Sequence, residues 1–164
     1  MKVQVIKSTT NELPKYETPQ SAGMDLRADL QNIKEKFLFN CELVRNLNFT
    51  VKSVIIKPGG RALIPTGLQI ALPKGYEARI QPRSGLALKN GVTILNSPGC
   101  VDADYRGDVG IIVINHGFDN FEINQGDRIA QMIISKVEQI TWEIVETLDE
   151  TERGDGGFGH TNIS

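Results

Sequence analysis

Apolar and polar residues alternate with a period of two through most of this chain, which predicts strands far more often than helices. The clearest run is Val109 to Ile114. There Val109, Ile111 and Val113 point one way and Gly110, Ile112 and Ile114 the other, so the run predicts a core strand covered on both faces. Just upstream, Asn96, Pro98 and Gly99 predict a turn, followed by Asp102, Asp104, Tyr105 and Arg106 within five residues. Polar groups held beside a rigid strand suit a catalytic hairpin. They equally suit an ordinary hairpin whose acids face water, and this stretch alone leaves both readings open.

The remaining elements follow the same logic. Val3, Val5 and Ile6 predict a first strand, and the polar, proline-containing residues 11–19 a loop. In Ser21 to Ala28 the small residues Ser21, Ala22 and Gly23 permit close backbone approach. Asp25 alternates with Met24 and Leu26 and so leaves the core side of a strand, as a surface acid or a site residue. Residues 30–50 fit both a helix and a hairpin, because Ile33, Phe37, Cys41 and Val44 have helical spacing while Phe37, Phe39 and Cys41 alternate. From 51 to 72, a Pro-Gly-Gly turn at 58–60 and a Pro65-Thr66-Gly67 turn separate apolar strands, and Pro73-Lys74-Gly75 turns into an alternating strand, Tyr76 to Gln81. Ser84 as N-cap, Leu86 to Lys89 and a stop at Gly91 predict one short helix, whose free N–H groups beside Arg83 offer an anion site or an unused cap. Phe121 and Ile123, then residues 126–134, predict a turn followed by a strand; Gln131 in that apolar run is either satisfied locally or faces a ligand. Ile140, Trp142 and Ile144 alternate and predict a closing strand over 137–148. Turns every eight to twelve residues imply a sandwich, barrel or jelly roll.

The tail from Arg153 to Thr161 is glycine-rich and cannot build a core. It reads as a flexible arm over 151–164, either a plain disordered end or one that uses Arg153 and Phe158 as a phosphate fork and a flat ring face.

At 164 residues the chain suits one domain over residues 1–150 plus that arm. A net charge of −2 and a pI near 5.7 argue against broad binding to nucleic acid or anionic membrane, but leave nucleotides open as small-molecule ligands. The first residues alternate like a strand and lack the apolar block of a signal peptide, so a cytoplasmic protein is expected. Cys41 and Cys100 are far apart and read as reduced thiols, with Cys100 a small filler more than a nucleophile. Two histidines do not make a histidine metal centre, so any metal is expected to be a hard ion held by oxygens. Phosphate-loop, GxGxxG, HExxH and GxSxG patterns are absent. Two arginines, a helix N-terminus, an aromatic arm residue and carboxylates at 25 and 102 fit a nucleoside triphosphate.

Taken together, AGMDLRA at 22–28, PRSGLALKNGV at 82–92, NSPGCVDADYRGDV at 96–109, GDRIAQMII at 126–134 and RGDGGFGHT at 153–161 resemble the five ordered motifs of the trimeric dUTP pyrophosphatases. The resemblance spans almost the whole chain. It implies an all-β, distorted jelly-roll subunit of the β-clip type with one short helix, in a homotrimer whose active sites are shared between chains. It also implies hydrolysis of dUTP to dUMP and pyrophosphate with Mg2+, limiting uracil in DNA and supplying dUMP for dTMP synthesis. By position, Asp102 matches the general base, and Asp25 the acid that supports magnesium through water. Arg83, Ser84 and Gly85 match the phosphate-binding turn and Gln131 the phosphate-side amide. Asn96 with Gly99, Cys100 and Val101 matches the uracil-reading hairpin, and Tyr105 the ring under the deoxyribose. Arg153 matches the γ-phosphate ligand, and Phe158 and Gly159 the lid over the base.

Two departures stand out: His160 and Asn162 occupy a segment that usually reads GFGSTG, and residues 30–50 are longer than the family's connection, implying a surface insertion away from the chemistry. A dCTP deaminase of related fold and an inactive trimeric binding module are the rival readings. Asp102-Ala103-Asp104-Tyr105-Arg106 and the intact Asp25, Arg83 and Arg153 favour the pyrophosphatase.

Overall fold

Runs that alternate in sequence do become strands, and they pair almost entirely antiparallel. The computed structural model describes residues 1–157. Its strands are β1 (Gln4–Lys7), β2 (Met24–Arg27), β3 (Leu38–Arg45), β4 (Val51–Ile64), β5 (Leu68–Ala71) and β6 (Tyr76–Gln81). After the one α-helix, α1 (Ser84–Asn90), come β7 (Val92–Ile94), β8 (Gly99–Val101), β9 (Ile111–Asn115), β10 (Phe121–Asn124) and β11 (Arg128–Lys136). Three sheets result: β1 with β5, a five-stranded sheet ordered β10-β4-β9-β7 with β3 also on β4, and a four-stranded sheet ordered β2-β11-β6-β8. This is the all-β, jelly-roll-like fold expected. No helix among the described residues is long and apolar enough to cross a membrane.

The two larger sheets close over one core. Leu26, Ala78, Ile80, Ala130 and Met132 supply it from the four-stranded sheet, and Val54, Ile56, Ile64, Ile111 and Val113 from the other. Ile64 is 0% exposed and its Cα partner is Ile111. Ile64→Ala is therefore expected to cost about 2–5 kcal/mol of unfolding free energy, read as a lower urea midpoint at unchanged slope.

Three expectations need correction. First, Pro58-Gly59-Gly60 does not end a strand. β4 runs straight through it, because β3 pairs on both sides: Cys41 faces Ile56 and Phe39 faces Arg61. The extra residues bulge out, Gly59 takes a φ of 74°, and the Asn40 amide donates to the Pro58 carbonyl at 3.1 Å. Second, residues 137–148 form no strand. Trp142, Ile144 and Leu148 are 87%, 97% and 85% exposed, and the alternating segment pairs with no strand among the described residues. Third, Ser84 is not the N-cap. Arg83 occupies that position, no side chain caps the helix, and the Arg83 carbonyl accepts the N–H groups of Leu86 and Ala87. Gly91 does end the helix, in the left-handed conformation expected of it.

The ambiguous residues 30–50 resolve into two short 3-10 turns, Leu30–Asn32 and Glu35–Phe37, followed by β3. Leu30 belongs to the core at 0% exposure.

Candidate active site

Register decides which side chains share a face. In the four-stranded sheet Asp25 lies opposite Gln131, Gln131 opposite Gln81, and Arg79 opposite Cys100. Directly paired residues project to the same side, and so do residues two apart along one strand. Asp25, Gln131, Gln81, Arg79, Glu77 and Cys100 therefore all stand on the outer face, while Leu26, Met132, Ile80 and Ala78 fill the core behind them.

At the β2 end of that face a charged cluster surrounds Asp25. Its Oδ1 accepts from Arg83 Nε at 3.1 Å and from Gln131 Nε2 at 3.4 Å, and its Oδ2 lies 3.3 Å from Arg128 Nη1. Arg83 Nη1 also donates to the Arg128 carbonyl at 2.9 Å, which fastens the start of α1 to the start of β11. The Asp25 side chain is only 12% exposed, whereas Ser84 and Gly85 stand in the open beside it. Arg128 Nη1 also lies 3.8 Å from Glu17 Oε1, so Arg83 and Arg128 are each held by carboxylates, and they bring to this corner the paired guanidinium donors that suit a polyphosphate. Arg128 was overlooked in the sequence, although it lies in the GDRIAQMII run; an arginine opening a strand next to an amide was the available signal.

At the β8 edge the hairpin forms the second group. Asn96, Gly99, Cys100 and Val101 line one small cleft walled by Ile80, Ile94 and the residues 110–112. A side chain at Gly99 would press on the Asn96 amide at 3.3 Å, so glycine lets the amide lie against the backbone there. Asp102 follows immediately and is exposed, on a groove that also holds Cys100, Glu77, Asp104 and Arg106. Arg106 Nη1 donates to the carbonyls of Ala103 and Tyr105, at 2.7 and 2.8 Å, and so fixes the turn carrying Asp102. Tyr105 donates its hydroxyl to the Asp108 carbonyl at 3.2 Å.

Asp108 and Glu77, also overlooked, support this hairpin from below. The Asp108 carboxylate accepts the N–H of Thr66 at 3.1 Å and those of Gly67 and Leu68; burial pushes its carboxyl above the ordinary range. Glu77 is a 9% exposed acid whose carboxyl is held below the usual range, first by the Cys100 thiol and then by Arg79. Cys100 in turn has its thiol pushed up to about 11, chiefly by Glu77. Such a thiol is protonated at neutral pH, which agrees with a filler role and not a nucleophilic one.

The chain brings the predicted residues together as two groups, not one. Asp102 follows Val101, whose partner is Ala78, while the Asp25 group reaches β6 at Gln81. Four residues of strand, about 13 Å, separate the two along β6. Among the described residues Arg153 joins neither group; its Nε donates to the nearby Gly156 carbonyl at 2.9 Å. Phe158 and Gly159, with His160, lie outside the described residues. Tyr105 shares a groove with Asn32, Lys34 and Phe37, so the first turns of the 30–50 segment lie beside it.

Comparison with known proteins gives this geometry a family. The dUTPase family model matches residues 49–162. A deoxyuridine 5'-triphosphate nucleotidohydrolase of Maricaulis maris is 54% identical over 149 residues, covering 91% of this chain and 86% of its own. One from Finegoldia magna is 47% identical over 161 residues, covering 98% and 99%. Among solved structures, the Staphylococcus bacteriophage 80alpha dUTPase with dUPNHPP has a TM-score of 0.78 at 22% identity, over 99% of each chain. A mutant dUTPase of phage phi11 of S. aureus, described with a structural Mg(II) ion, has a TM-score of 0.72 at 20% identity, over 92% of this chain and 100% of that one. The solved structures speak for the fold, and the family model with the two close relatives goes further: this chain belongs to the dUTPase family of nucleotidohydrolases.

Proposed function

We propose that the protein hydrolyses dUTP to dUMP and pyrophosphate in a cytoplasmic homotrimer, limiting uracil in DNA and supplying dUMP for dTMP synthesis. The observation that carries this reading is the meeting of Asn96, Gly99, Cys100 and Val101 in one cleft, with Asp102 next in the chain on the groove that Cys100 also lines, in a chain of this family. Asn96 and the backbone from Gly99 to Val101 read the uracil edge, and Tyr105 packs under the deoxyribose. Asp102 takes a proton from the water that attacks the α-phosphorus, and the bond to the bridging oxygen breaks as pyrophosphate leaves with the electron pair. Arg83, Ser84, Gly85 and Gln131 hold the phosphates, Arg153 the γ-phosphate, and Phe158 with Gly159 covers the base.

Mg2+ prefers oxygen ligands and is commonly held by one or two carboxylates together with substrate phosphates and waters. Asp25 is a single carboxylate whose oxygens already face Arg83, Arg128 and Gln131. Among the described residues no group of three acids, histidines or cysteines could hold an ion without substrate. That donor set fits Mg2+ arriving on the triphosphate and meeting Asp25 through water. When bound, the ion neutralises phosphate charge, and the chain's own residues position the reactants.

The separation of the two groups supports sharing between chains: the Asp25 cluster of one subunit serves the hairpin of another, and the exposed arm reaches a third. Offered dUTP, dTTP, dCTP and UTP with magnesium, the protein should release pyrophosphate from dUTP at least about 10²-fold faster than from the others, because unpaired donors and a blocked methyl or hydroxyl all penalise the wrong nucleotide. Equal rates would remove the reading, and ammonia release from dCTP would replace it with a deaminase.

A further inference from the structure

The Cys100 thiol carries one hydrogen and faces two carboxylates. Glu77 Oε2 lies 2.9 Å from Sγ and Asp102 Oδ1 lies 3.7 Å away, so the hydrogen goes to Glu77. Glu77 is nearly buried, and its other oxygen is pinned by Arg79, with Nε at 3.1 Å and Nη2 at 2.5 Å. Orientation is thus passed from Arg79 to Glu77 to Cys100, and the sulfur turns a lone pair toward Asp102. None of these three residues is needed to bind a phosphate, and an acid with no such duty beside a general base calls for a reason.

We propose that Glu77 is a positioning residue for the base: by taking the thiol hydrogen of Cys100 it leaves the Asp102 carboxylate without a side-chain donor and open to the attacking water. The proposal rests on the reading of Asp102 as base. It adds a device that the motif comparison does not contain, since Glu77 lies outside the five motifs. Other charged groups on the same groove, Lys74, Asp104 and Arg106, make no hydrogen bond to Cys100 or Glu77, and Arg106 is committed to backbone carbonyls.

Glu77→Gln isolates the effect. Arg79 keeps the amide oxygen, so the NH2 takes the place of Oε2, faces the thiol with hydrogens, and turns the thiol hydrogen toward Asp102. The test has two arms. In the first, alkylation of Cys100 by iodoacetamide is followed against pH, with the modified peptide identified by mass to separate it from Cys41. The unsubstituted protein should titrate near 11, and Glu77→Gln should alkylate about tenfold faster or more at pH 8. In the second arm, kcat for dUTP should fall about tenfold in Glu77→Gln with KM little changed, the size of one hydrogen bond to a charged group. The same substitution in a Cys100→Ala background should have almost no effect relative to Cys100→Ala alone. A Cys100 titration near an ordinary thiol in the unsubstituted protein overturns the proposal without any variant having to fold. Equal loss of kcat in both backgrounds overturns it too, since Glu77 would then act on the fold and not through the thiol. If Asp102→Asn kept its rate, the base reading would fail while the alkylation arm still reported where the thiol hydrogen lies.

Discussion

Asp102→Asn should lower kcat for dUTP by about 10²–10⁴-fold, the range a positioned general base supplies. Binding of a nonhydrolysable dUTP analogue should stay within about a factor of three, below 1 kcal/mol. Asn keeps the size and one oxygen of Asp but cannot take a hydrogen from water, so the loss falls on the chemical step. The structure makes this a clean substitution. Asp102 is exposed, and among the described residues its side chain meets one hydrogen-bonding partner, the Cys100 sulfur at 3.7 Å. Unfolding free energy should accordingly move by no more than about 0.5 kcal/mol. A variant that kept its rate would remove Asp102 from the mechanism, and one that lost analogue binding in parallel would make it a ligand and not a base.

Much of this arrangement was legible because alternation and register carry the same information. Tyr76 to Gln81 reads as a strand from its pattern alone and is one to the residue. The turn at 65–67, the short helix ending at Gly91 and the core role of Val109, Ile111 and Val113 were equally plain. The failures share a cause: each depends on a partner the local pattern does not name. Pro58-Gly59-Gly60 looks like a turn until β3 is known to pair on both sides of it. The 137–148 segment has a strand's pattern but pairs with no other strand among the described residues. Arg128, Glu77 and Asp108 act only through residues far away in sequence, Asp25, Cys100 and the 66–68 backbone. The motif residues were found as motifs; that Asp25, Gln131 and Cys100 share one sheet face while Asn96, Gly99 and Val101 gather at its β8 edge was visible only once the register was fixed.

That separation leads to the second large effect. Deleting residues 153–164 should lower kcat/KM by roughly 10- to 100-fold from the loss of Arg153 alone, since a hydrogen bond to a charged phosphate contributes about 1.5–3 kcal/mol. The melting temperature should barely change, because among the described residues Arg153 bonds within its own exposed turn. The more telling experiment combines this truncation with Asp102→Asn. Each variant alone is impaired, one lacking the base and the other the arm. If hairpin and arm come from different subunits, trimers assembled from an equal mixture contain sites that take an intact hairpin from a truncated chain and an intact arm from an Asp102→Asn chain. Random assembly makes these roughly one half times one half of the sites, so about a quarter of the unsubstituted activity should return. Arms that close over their own chain's hairpin would restore nothing, since every site would then lack one part. The mixture must be unfolded and refolded together, or co-expressed, so that chains exchange; a mixture of preformed trimers is the control and should stay at the average of the two variants' own rates.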